Sequence, residues 1–284
     1  MKISETELIL KPDRSVYHLN LQRHHLSDRV IAVGDPGRVP QVSKHFDKIE
    51  FKISHREFVT HTGVYHGKPI SVVSTGIGTD NVEIFMMEID ALVNVNLRTR
   101  EPRLKKKSLN IVRIGTSGAL QDDIPLGSFV VSASGVGLDN LMNFYPYRMK
   151  PQQAALMRSL RSKAGLNFVP YMADASEALY RKLGFDMVSG NTVTSPGFYA
   201  PQGRSVRIPI RYKNLLSDLS RFQKGTFRLT NFEMETSAYY ALGKLMGHSM
   251  LSLNLIIAQR NQHKFLTNHQ EAMDELIVRV LDRI

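Results

Sequence analysis

Short apolar runs rich in β-branched residues alternate with amphipathic segments along the chain, and this alternation limits the fold more than any other feature. Strands that are separated by helices favour a mostly parallel sheet with helices on its faces. The length of 284 residues is compatible with one such α/β domain. The clearest predicted strands are Val30–Val33, Ile70–Thr75, Asn110–Ile114, Ser128–Ser132 and Leu251–Ile257.

Helical segments lie between and after these strands. A proline at the first helical position and a glycine after the last one mark helix ends. For the last helix we expect a start at Thr267, with Gln270 completing a capping box. The predicted helices are Asn81 to about Val95, Pro151–Lys163, Glu235–Met246 and the segment from Thr267 to the C-terminus. The last helix carries one apolar stripe that we expect to be core, formed by Met273, Leu276, Ile277, Val280, Leu281 and Ile284.

Composition excludes several classes of site. The chain has no cysteine, so it has no disulfide and no thiolate metal ligand. Leu8–Leu10 is the only apolar run near the N-terminus and is too short for a signal peptide or a membrane span. We therefore expect a cytoplasmic protein with no membrane partner. The net charge of +11 fits an anionic substrate, and it also fits nucleic acid.

Much of this charge lies in one segment, residues 98–107, which contains a single acid, Glu101. Pro102 argues against an unbroken helix there. We expect a solvated surface loop. The alternative is an RNA-contacting loop, which is disfavoured because no aromatic residue lies among the charges to stack on bases. The basic residues are Arg98, Arg100, Arg103, Lys105, Lys106 and Lys107.

Two glycine-containing segments follow predicted strands and each is close to an arginine. The first is Val33–Arg38, with sequence VGDPGR, and the second is Gly115–Gly118, which follows Arg113 and is predicted to be a small-residue turn. Backbone N–H groups in such turns can point at a phosphate, and a guanidinium adds charge and paired donors. Together Arg38 and Arg113 predict an anion site.

Two further segments carry side chains that can bind a ligand. In Phe232–Glu235 (FEME), a carboxylate can accept both hydroxyls of a ribose, although Glu235 also fits the first turn of a helix as an ordinary acid. In Phe198–Arg204 (FYAPQGR), an aromatic ring, an amide and a guanidinium lie close together in the sequence.

These segments resemble the nucleoside phosphorylase-I family, most closely its uridine phosphorylase members. The resemblance runs from about Val16 to the C-terminus, so we expect an N-terminal extension at 1–15 and a nucleoside phosphorylase domain at 16–284. It implies a single-domain α/β/α sandwich with a mixed central sheet. Further matching segments are Tyr17–Leu19, Ser54–Phe58 and Ser74–Gly78.

The resemblance implies reversible phosphorolysis of uridine to uracil and ribose 1-phosphate in pyrimidine salvage. Inorganic phosphate is then the co-substrate, and no cofactor is needed. The implied catalytic residues are Arg113, Gln202, Arg204 and Glu235. The implied phosphate ligands are Gly34, Arg38, Arg113 and Thr116, with Arg56 from a neighbouring subunit.

The remaining roles also come from the resemblance. Around the ribose it places Glu233, Met234 and Glu235, and it places His18 of a neighbouring subunit at the 5′-hydroxyl. Around the base it places Phe198, Gln202, Arg204 and Arg260. In these roles Gln202 offers one donor and one acceptor to an edge of uracil, Arg204 can stabilise charge on a carbonyl oxygen, and Phe198 can stack on the ring. Purine-cleaving relatives use an aspartate late in the chain, and Leu255–Arg260 contains none, which favours uracil. Residues shared between subunits imply at least a homodimer, and the family suggests a hexamer.

Some questions stay open at this stage. Glu57 and Ile77 match a potassium site of some relatives, but Asn81 stands in place of a serine, and no other metal site is expected. The alternative functions are a broader nucleoside phosphorylase or a phosphate-independent nucleosidase, and then a non-catalytic nucleoside- or RNA-binding protein. The sequence does not separate uridine from thymidine or deoxyuridine.

Overall fold

A computed structural model describes residues 2–284. Its strands are β1 (Arg29–Val33), β2 (Lys48–His55), β3 (Phe58–Tyr65), β4 (Lys68–Ser74), β5 (Val95–Asn96), β6 (Glu101–Pro102), β7 (Asn110–Ala119), β8 (Phe129–Gly137), β9 (Tyr171–Asp174), β10 (Val188–Thr194), β11 (Gln223–Lys224), β12 (Phe227–Arg228), β13 (Asn231–Glu233), β14 (Ser249–Gln259) and β15 (Lys264–Phe265). Its α-helices are α1 (Arg38–Ser43), α2 (Thr79–Asn94), α3 (Pro151–Lys163), α4 (Glu177–Leu183), α5 (Leu215–Ser220), α6 (Thr236–Met246) and α7 (Gln270–Arg283).

One large mixed sheet dominates the molecule, with strand order β15-β14-β8-β10-β13-β7-β1-β4-β3-β2, and β9 beside β8. The pairs β1–β4, β1–β7, β7–β14, β8–β10 and β10–β13 are parallel. The hairpin strands β2, β3 and β4 pair antiparallel at one edge. The predicted α/β class with a mixed central sheet is therefore confirmed.

The sheet also closes on itself. Strand β7 pairs with β14 along its whole length, and its last residues pair with β13, where Gly118 lies opposite Phe232. Five strands, β7, β14, β8, β10 and β13, thus form a closed ring. The predicted turn at Gly115–Gly118 is wrong, because β14 continues to offer hydrogen-bonding partners beyond Ile114 and holds this segment as strand.

Helices cover both faces of the sheet, as the alternation along β1 illustrates. Val30 and Ala32 belong to a core shared with α2 and α6, whereas Ile31 and Val33 belong to a core shared with α1 and α7. Successive side chains of a strand point to opposite faces, so both faces of β1 are buried. A third core joins α3 and α5 to the ring strands.

The predicted elements all occur, with shifts at their ends. Helix α3 has the predicted bounds, and α6 begins one residue after Glu235. The last helix begins at Gln270, not at Thr267, and His269 stands at its N-cap without a side-chain capping bond. The expected capping box is therefore absent, whereas the apolar stripe of α7 is buried as predicted.

The N-terminal residues pack against the basic segment. Arg100 donates from its guanidinium to the carbonyls of Ile3, Ser4 and Leu8, and Ile3 N–H donates to the Arg100 carbonyl. Lys107 pairs with Asp28, with 2.6 Å between Nζ and Oδ2. Within residues 2–284, no helix combines the length and the apolar character that crossing a membrane requires.

Candidate active site

A cavity of about 920 Å³ opens where β1, β7 and β13 end and the segment 198–204 folds over them. It brings together most of the residues that the sequence singled out: Gly34, Glu57, Ile77, Asn81, Arg38, Arg113, Thr116, Phe198, Gln202, Arg204, Glu233, Met234 and Glu235. His18, Arg56 and Arg260 do not line it.

The anion end of the cavity begins at the turn after β1. Asp35 accepts the N–H of Gly37 at 2.8 Å through Oδ1, and Arg38 opens the short helix α1. The Arg38 guanidinium reaches towards the end of β7, with 3.5 Å between Nη1 and the Ile114 carbonyl oxygen. Burial and then the charge of Arg113 lower the pKa of Arg38. Two arginines that repel each other in one cavity are stabilised by an anion between them.

Arg113 lies within β7 and folds over Gly115. A Cβ at Gly115 would stand 2.3 Å from Arg113 Nη1, so only glycine leaves room for this guanidinium. Nη1 also donates to Asn254 Oδ1 at 2.8 Å and to Ser252 Oγ at 3.3 Å. These are polar residues of β14 in register with Arg113–Gly115. The glycine that suggested a turn therefore has a packing role instead.

Two carboxylates balance Arg113. Its Nη2 lies 2.5 Å from Glu235 Oε2 and 3.2 Å from Glu233 Oε2, and all three side chains are buried. Burial disfavours the charged guanidinium, but the attraction of Glu233 and Glu235 outweighs it and raises the pKa of Arg113. Arg113 thus remains a cation in the depth of the cavity.

Glu233 shapes the start of α6. Its carboxylate accepts the N–H groups of Glu235 and Thr236, and it accepts the Thr194 hydroxyl at 2.6 Å. Burial raises the pKa of Glu233, while Arg113 opposes that shift. These bonds fix the turn that presents Met234 and Glu235 to the cavity.

Glu235 is held from two sides. Oε2 accepts from Arg113, and Oε1 accepts the N–H of Gly78 at 2.8 Å. Gly78 has φ +99°, a backbone conformation that side chains rarely adopt, and its N–H thereby points at the carboxylate. A carboxylate oxygen can accept more than one hydrogen bond, so Glu235 can still receive hydroxyl groups from a ligand.

The other end of the cavity is formed by the segment 198–204. Gln202 is buried in a single 3₁₀ turn, and its Oε1 accepts from Arg204 Nη1 at 2.6 Å. The Arg204 guanidinium stacks on the half-exposed Phe198 ring, 3.8 Å from its centroid, and also donates to the Phe198 carbonyl. The Gln202 amide nitrogen stays available to a ligand.

Arg260 approaches this end from behind Gly118, whose built Cβ would lie 3.4 Å from Arg260 Cγ. Its Nη1 is buried and has no hydrogen-bond partner within residues 2–284. Burial and then the charge of Arg260 lower the pKa of Arg204 to about 10. This second pair of arginines has no carboxylate between them, so an electron-rich ligand atom placed there is stabilised.

His18 and Arg56 lie outside the cavity of their own chain. Arg56 is in the tight turn between β2 and β3, and its guanidinium carbon is 5.8 Å from the centroid of the Tyr17 ring. The His18 imidazole contacts Glu88 of α2, with 2.7 Å between Nδ1 and Oε1. Tyr17, His18 and Arg56 therefore form one patch beside the cavity, not part of its wall.

The residues of the suggested potassium site line the rim of the cavity. Ile77 is exposed, and the Asn81 amide nitrogen lies 2.4 Å from the point where a Cβ of Gly76 would stand. Glu57 is the one carboxylate among the three. Within residues 2–284, no group of three or more His, Cys, Asp or Glu side chains is arranged to hold a metal ion.

Several functional-looking residues were not predicted from the sequence. Ser252 and Asn254 support Arg113, and the alternation LSLNL in β14 is a signal, because polar residues in a buried strand need a partner. Thr194 acts on Glu233 from a distant part of the chain, and no local pattern marks it. Gly78 belongs to the matching segment Ser74–Gly78, but its bond to Glu235 spans 157 residues and has no local signal.

Comparison with known proteins identifies the family. The model of the phosphorylase superfamily matches residues 28–284, which is most of the chain. The chain belongs to this superfamily. The match begins just before β1 and therefore includes every strand and helix that lines the cavity.

Individual relatives agree with this assignment. The chain is 30% identical over 252 residues to a uridine phosphorylase of Thermococcus kodakarensis, covering 88% of this chain and 79% of the relative. It is 30% identical over 259 residues to a uridine phosphorylase of Haemophilus influenzae, covering 88% of both. A crystal structure of a Trypanosoma brucei nucleoside phosphorylase, described as showing uridine phosphorylase activity, superposes with a TM-score of 0.89 at 27% identity, covering 98% of this chain and all of that one.

Proposed function

We propose that this protein is a uridine phosphorylase, a pentosyltransferase that reversibly converts uridine and phosphate into uracil and ribose 1-phosphate, in pyrimidine salvage. The observation that carries the proposal is the single cavity in which Arg38 and Arg113 meet Glu235 at one end and Gln202 meets Arg204 at the other. Each end offers what one part of the reaction needs.

At the first end, phosphate binds between Arg38 and Arg113, beside Gly34 and Thr116. A phosphate oxygen attacks the anomeric carbon of the ribose as the bond to N1 of uracil breaks. The sugar carries positive charge in the transition state, so the dianion beside it and the carboxylate of Glu235 both stabilise it. Glu235 holds the ribose hydroxyls, Met234 packs on the sugar, and Glu233 keeps the turn in place.

At the second end, the electron pair of the broken bond goes to uracil. Arg204, with Arg260 behind it, stabilises the negative charge that develops on a carbonyl oxygen of the base. Gln202 binds the polar edge, and Phe198 stacks on the ring. No acid stands near the base in Leu255–Arg260 to protonate a purine, which supports uracil as the leaving group.

We also propose that the site is shared between two subunits. His18 and Arg56 lie on the patch beside the cavity, where His18 would reach the ribose 5′-hydroxyl and Arg56 the phosphate in a partner's site. The assembly is then at least a two-fold homodimer with a self-complementary interface, and the family resemblance extends the proposal to a hexamer. No cofactor and no nucleic acid take part.

The test is a substrate panel followed by ultraviolet absorbance, with phosphate present and absent. We expect release of uracil from uridine only when phosphate is present. We also expect kcat/KM for inosine to be far below kcat/KM for uridine. Thymidine and 2′-deoxyuridine belong in the same panel. Equal cleavage without phosphate would identify a nucleosidase, and a preference for inosine would overturn the role given to Gln202 and Arg204.

A further inference from the structure

Glu88 is a buried carboxylate in the middle of α2 with all its partners on one short segment. It is 7% exposed. Its Oε1 accepts the His18 N–H at 2.9 Å and contacts His18 Nδ1 at 2.7 Å. Its Oε2 accepts the Leu19 N–H at 2.8 Å and the His18 N–H at 3.1 Å. One side chain thus holds both the backbone and the ring of His18.

This geometry fixes the orientation of the imidazole. A carboxylate only accepts, so in the Glu88 contact Nδ1 must be the ring nitrogen that carries hydrogen. The neutral ring then presents Nε2 as an acceptor on its other side. A hydroxyl is the natural partner of that nitrogen, and the His18 side chain is 32% exposed, so the nitrogen is within reach of a ligand.

The same segment is tied to the turn that carries Arg56. The His18 carbonyl accepts from His55 Nδ1 at 2.8 Å, and His55 is the residue before Arg56. A disturbance at Glu88 therefore reaches His18 directly and the turn at Arg56 only through one hydrogen bond.

We propose that Glu88 is a positioning residue for the reaction, which selects the His18 tautomer and aims Nε2 at the 5′-hydroxyl of the ribose in a partner's site. The inference rests on the proposed function, because His18 is given its ligand there. Glu88 itself touches no substrate. Its contribution passes through His18, so it should be lost whenever the substrate has no 5′-hydroxyl.

The kinetic test compares uridine with 5′-deoxyuridine in wild type, Glu88→Gln and His18→Ala. Three N–H groups converge on Glu88, and an amide, which is itself a donor on one side, cannot accept them all. We expect Glu88→Gln to lower kcat/KM for uridine by about tenfold, in the range usual for residues that orient a ligand. With 5′-deoxyuridine, the kcat/KM of Glu88→Gln should equal that of wild type. In the double variant Glu88→Gln/His18→Ala, the losses in kcat/KM for uridine from the two single substitutions should not add.

Asp90→Asn provides the matched control. Asp90 is a carboxylate on the same helix that lies 3.3 Å from Nε2 of another histidine, His248. This variant should keep the wild-type ratio between the two substrates. The ratio does not depend on how much protein is folded, so instability of a variant does not obscure it. An equal loss for both substrates in Glu88→Gln would show that Glu88 is only structural.

A second measurement is independent of catalysis. In protein with ¹⁵N-labelled histidine, at a pH of about 8 where imidazole is neutral, the His18 shifts should report hydrogen on Nδ1. In Glu88→Ala they should change to a mixture of tautomers, and in Asp90→Asn they should not. Unchanged His18 shifts in Glu88→Ala would overturn the inference. Absence of uridine turnover in wild type would instead refute the proposed function and leave this measurement valid.

Discussion

The two ends of the cavity are built in different ways. At the phosphate end, Arg113 is buried within a paired strand and bound to side chains from β13, β14 and the start of α6. At the base end, the Arg204 guanidinium donates hydrogen bonds only to Phe198 and Gln202, within six residues of itself. The phosphate end is part of the core of the fold, whereas the base end is formed by one short segment that folds over that core.

This difference predicts different consequences of substitution. Arg113 cannot be removed without leaving Glu233 and Glu235 buried and unpaired, which is costly. The base end can lose Arg204 without exposing any buried carboxylate. Activity and stability should therefore be coupled at Arg113 and separable at Arg204.

Arg113→Ala should have the largest effect. It removes a phosphate ligand and leaves Glu233 and Glu235 without their cation. We expect a loss of more than about 10³ in kcat/KM. We also expect a loss of about 3–5 kcal/mol in the free energy of unfolding, measured by urea titration.

The stability loss should depend on pH in a definite direction. Burial already raises the pKa of Glu233, and removing Arg113 removes the charge that opposes this shift. In the folded variant Glu233 therefore binds a proton more tightly than it does in the unfolded chain. The free energy of unfolding should then fall as pH rises above the ordinary pKa of glutamate, about 4.3. The difference in free energy of unfolding between the variant and wild type should narrow at acid pH.

Arg38→Ala is the control, because Arg38 has no carboxylate within salt-bridge distance among residues 2–284. Arg38→Ala should be nearly inactive but as stable as wild type. An equal loss of stability in Arg38→Ala and Arg113→Ala would contradict the coupling of activity and stability through the carboxylates bound to Arg113.

Arg204→Ala tests the other end. Loss of one well-aimed donor to a developing negative charge typically costs about 10²–10³ in rate, and we expect that range in kcat/KM for uridine. The melting temperature should change little, because the partners of the Arg204 guanidinium are a neutral carbonyl and a neutral amide, and its loss leaves no buried charge unpaired. A large drop in melting temperature would show that segment 198–204 is part of the core after all.

The same contrast explains what the sequence could predict. Arg38 could be found because it follows a glycine turn at the end of a strand. Phe198–Arg204 could be found because its residues are neighbours in the chain and match a segment of a known family. Arg113 could be found because it is a charged residue in an apolar strand, just before a glycine. The alternation LSLNL indicates that Ser252 and Asn254 need polar partners, but it does not identify Arg113, since that contact depends on strand register across more than a hundred residues. The bond between Glu88 and His18 spans 70 residues and is equally invisible locally.

The fold shows where local patterns fail. Strands and helices were predicted well because their apolar periodicity records which face is buried. Gly115–Gly118 was misread because small residues suit both a turn and a crowded strand, and only the neighbouring strands decide between them. Closure of the sheet into a ring depends on β7 changing its partner from β1 to β13, and no local pattern encodes such a change.

A smaller effect, the partial recovery of activity when two inactive variants are mixed, shows whether the phosphate end is complete within one chain. Arg56→Ala and Arg38→Ala should each be nearly inactive, and unfolding and refolding them together should restore activity. If Arg56 serves a partner's site, a mixed dimer has one site with both substitutions and one with neither. Random pairing in a two-fold dimer then restores about a quarter of the wild-type sites. Mixtures that stay inactive despite confirmed subunit exchange would show that Arg56 acts within its own chain.

The smallest effect concerns potassium at the rim of the phosphate end. Potassium needs several oxygen ligands, and here the amino group of Asn81, as the amide is oriented, faces the Gly76 turn where relatives offer a serine hydroxyl. Glu57 alone is a weak site for a monovalent ion. We therefore expect the rates in potassium chloride and in sodium chloride of equal ionic strength to agree within about twofold. Both salts then screen charges to the same extent, and no specific site distinguishes the two cations. Asn81→Ser should make the rate more sensitive to potassium. A several-fold stimulation of wild type by potassium alone would mean that the Asn81 amide turns its oxygen to the ion, and that the rim rearranges when potassium binds.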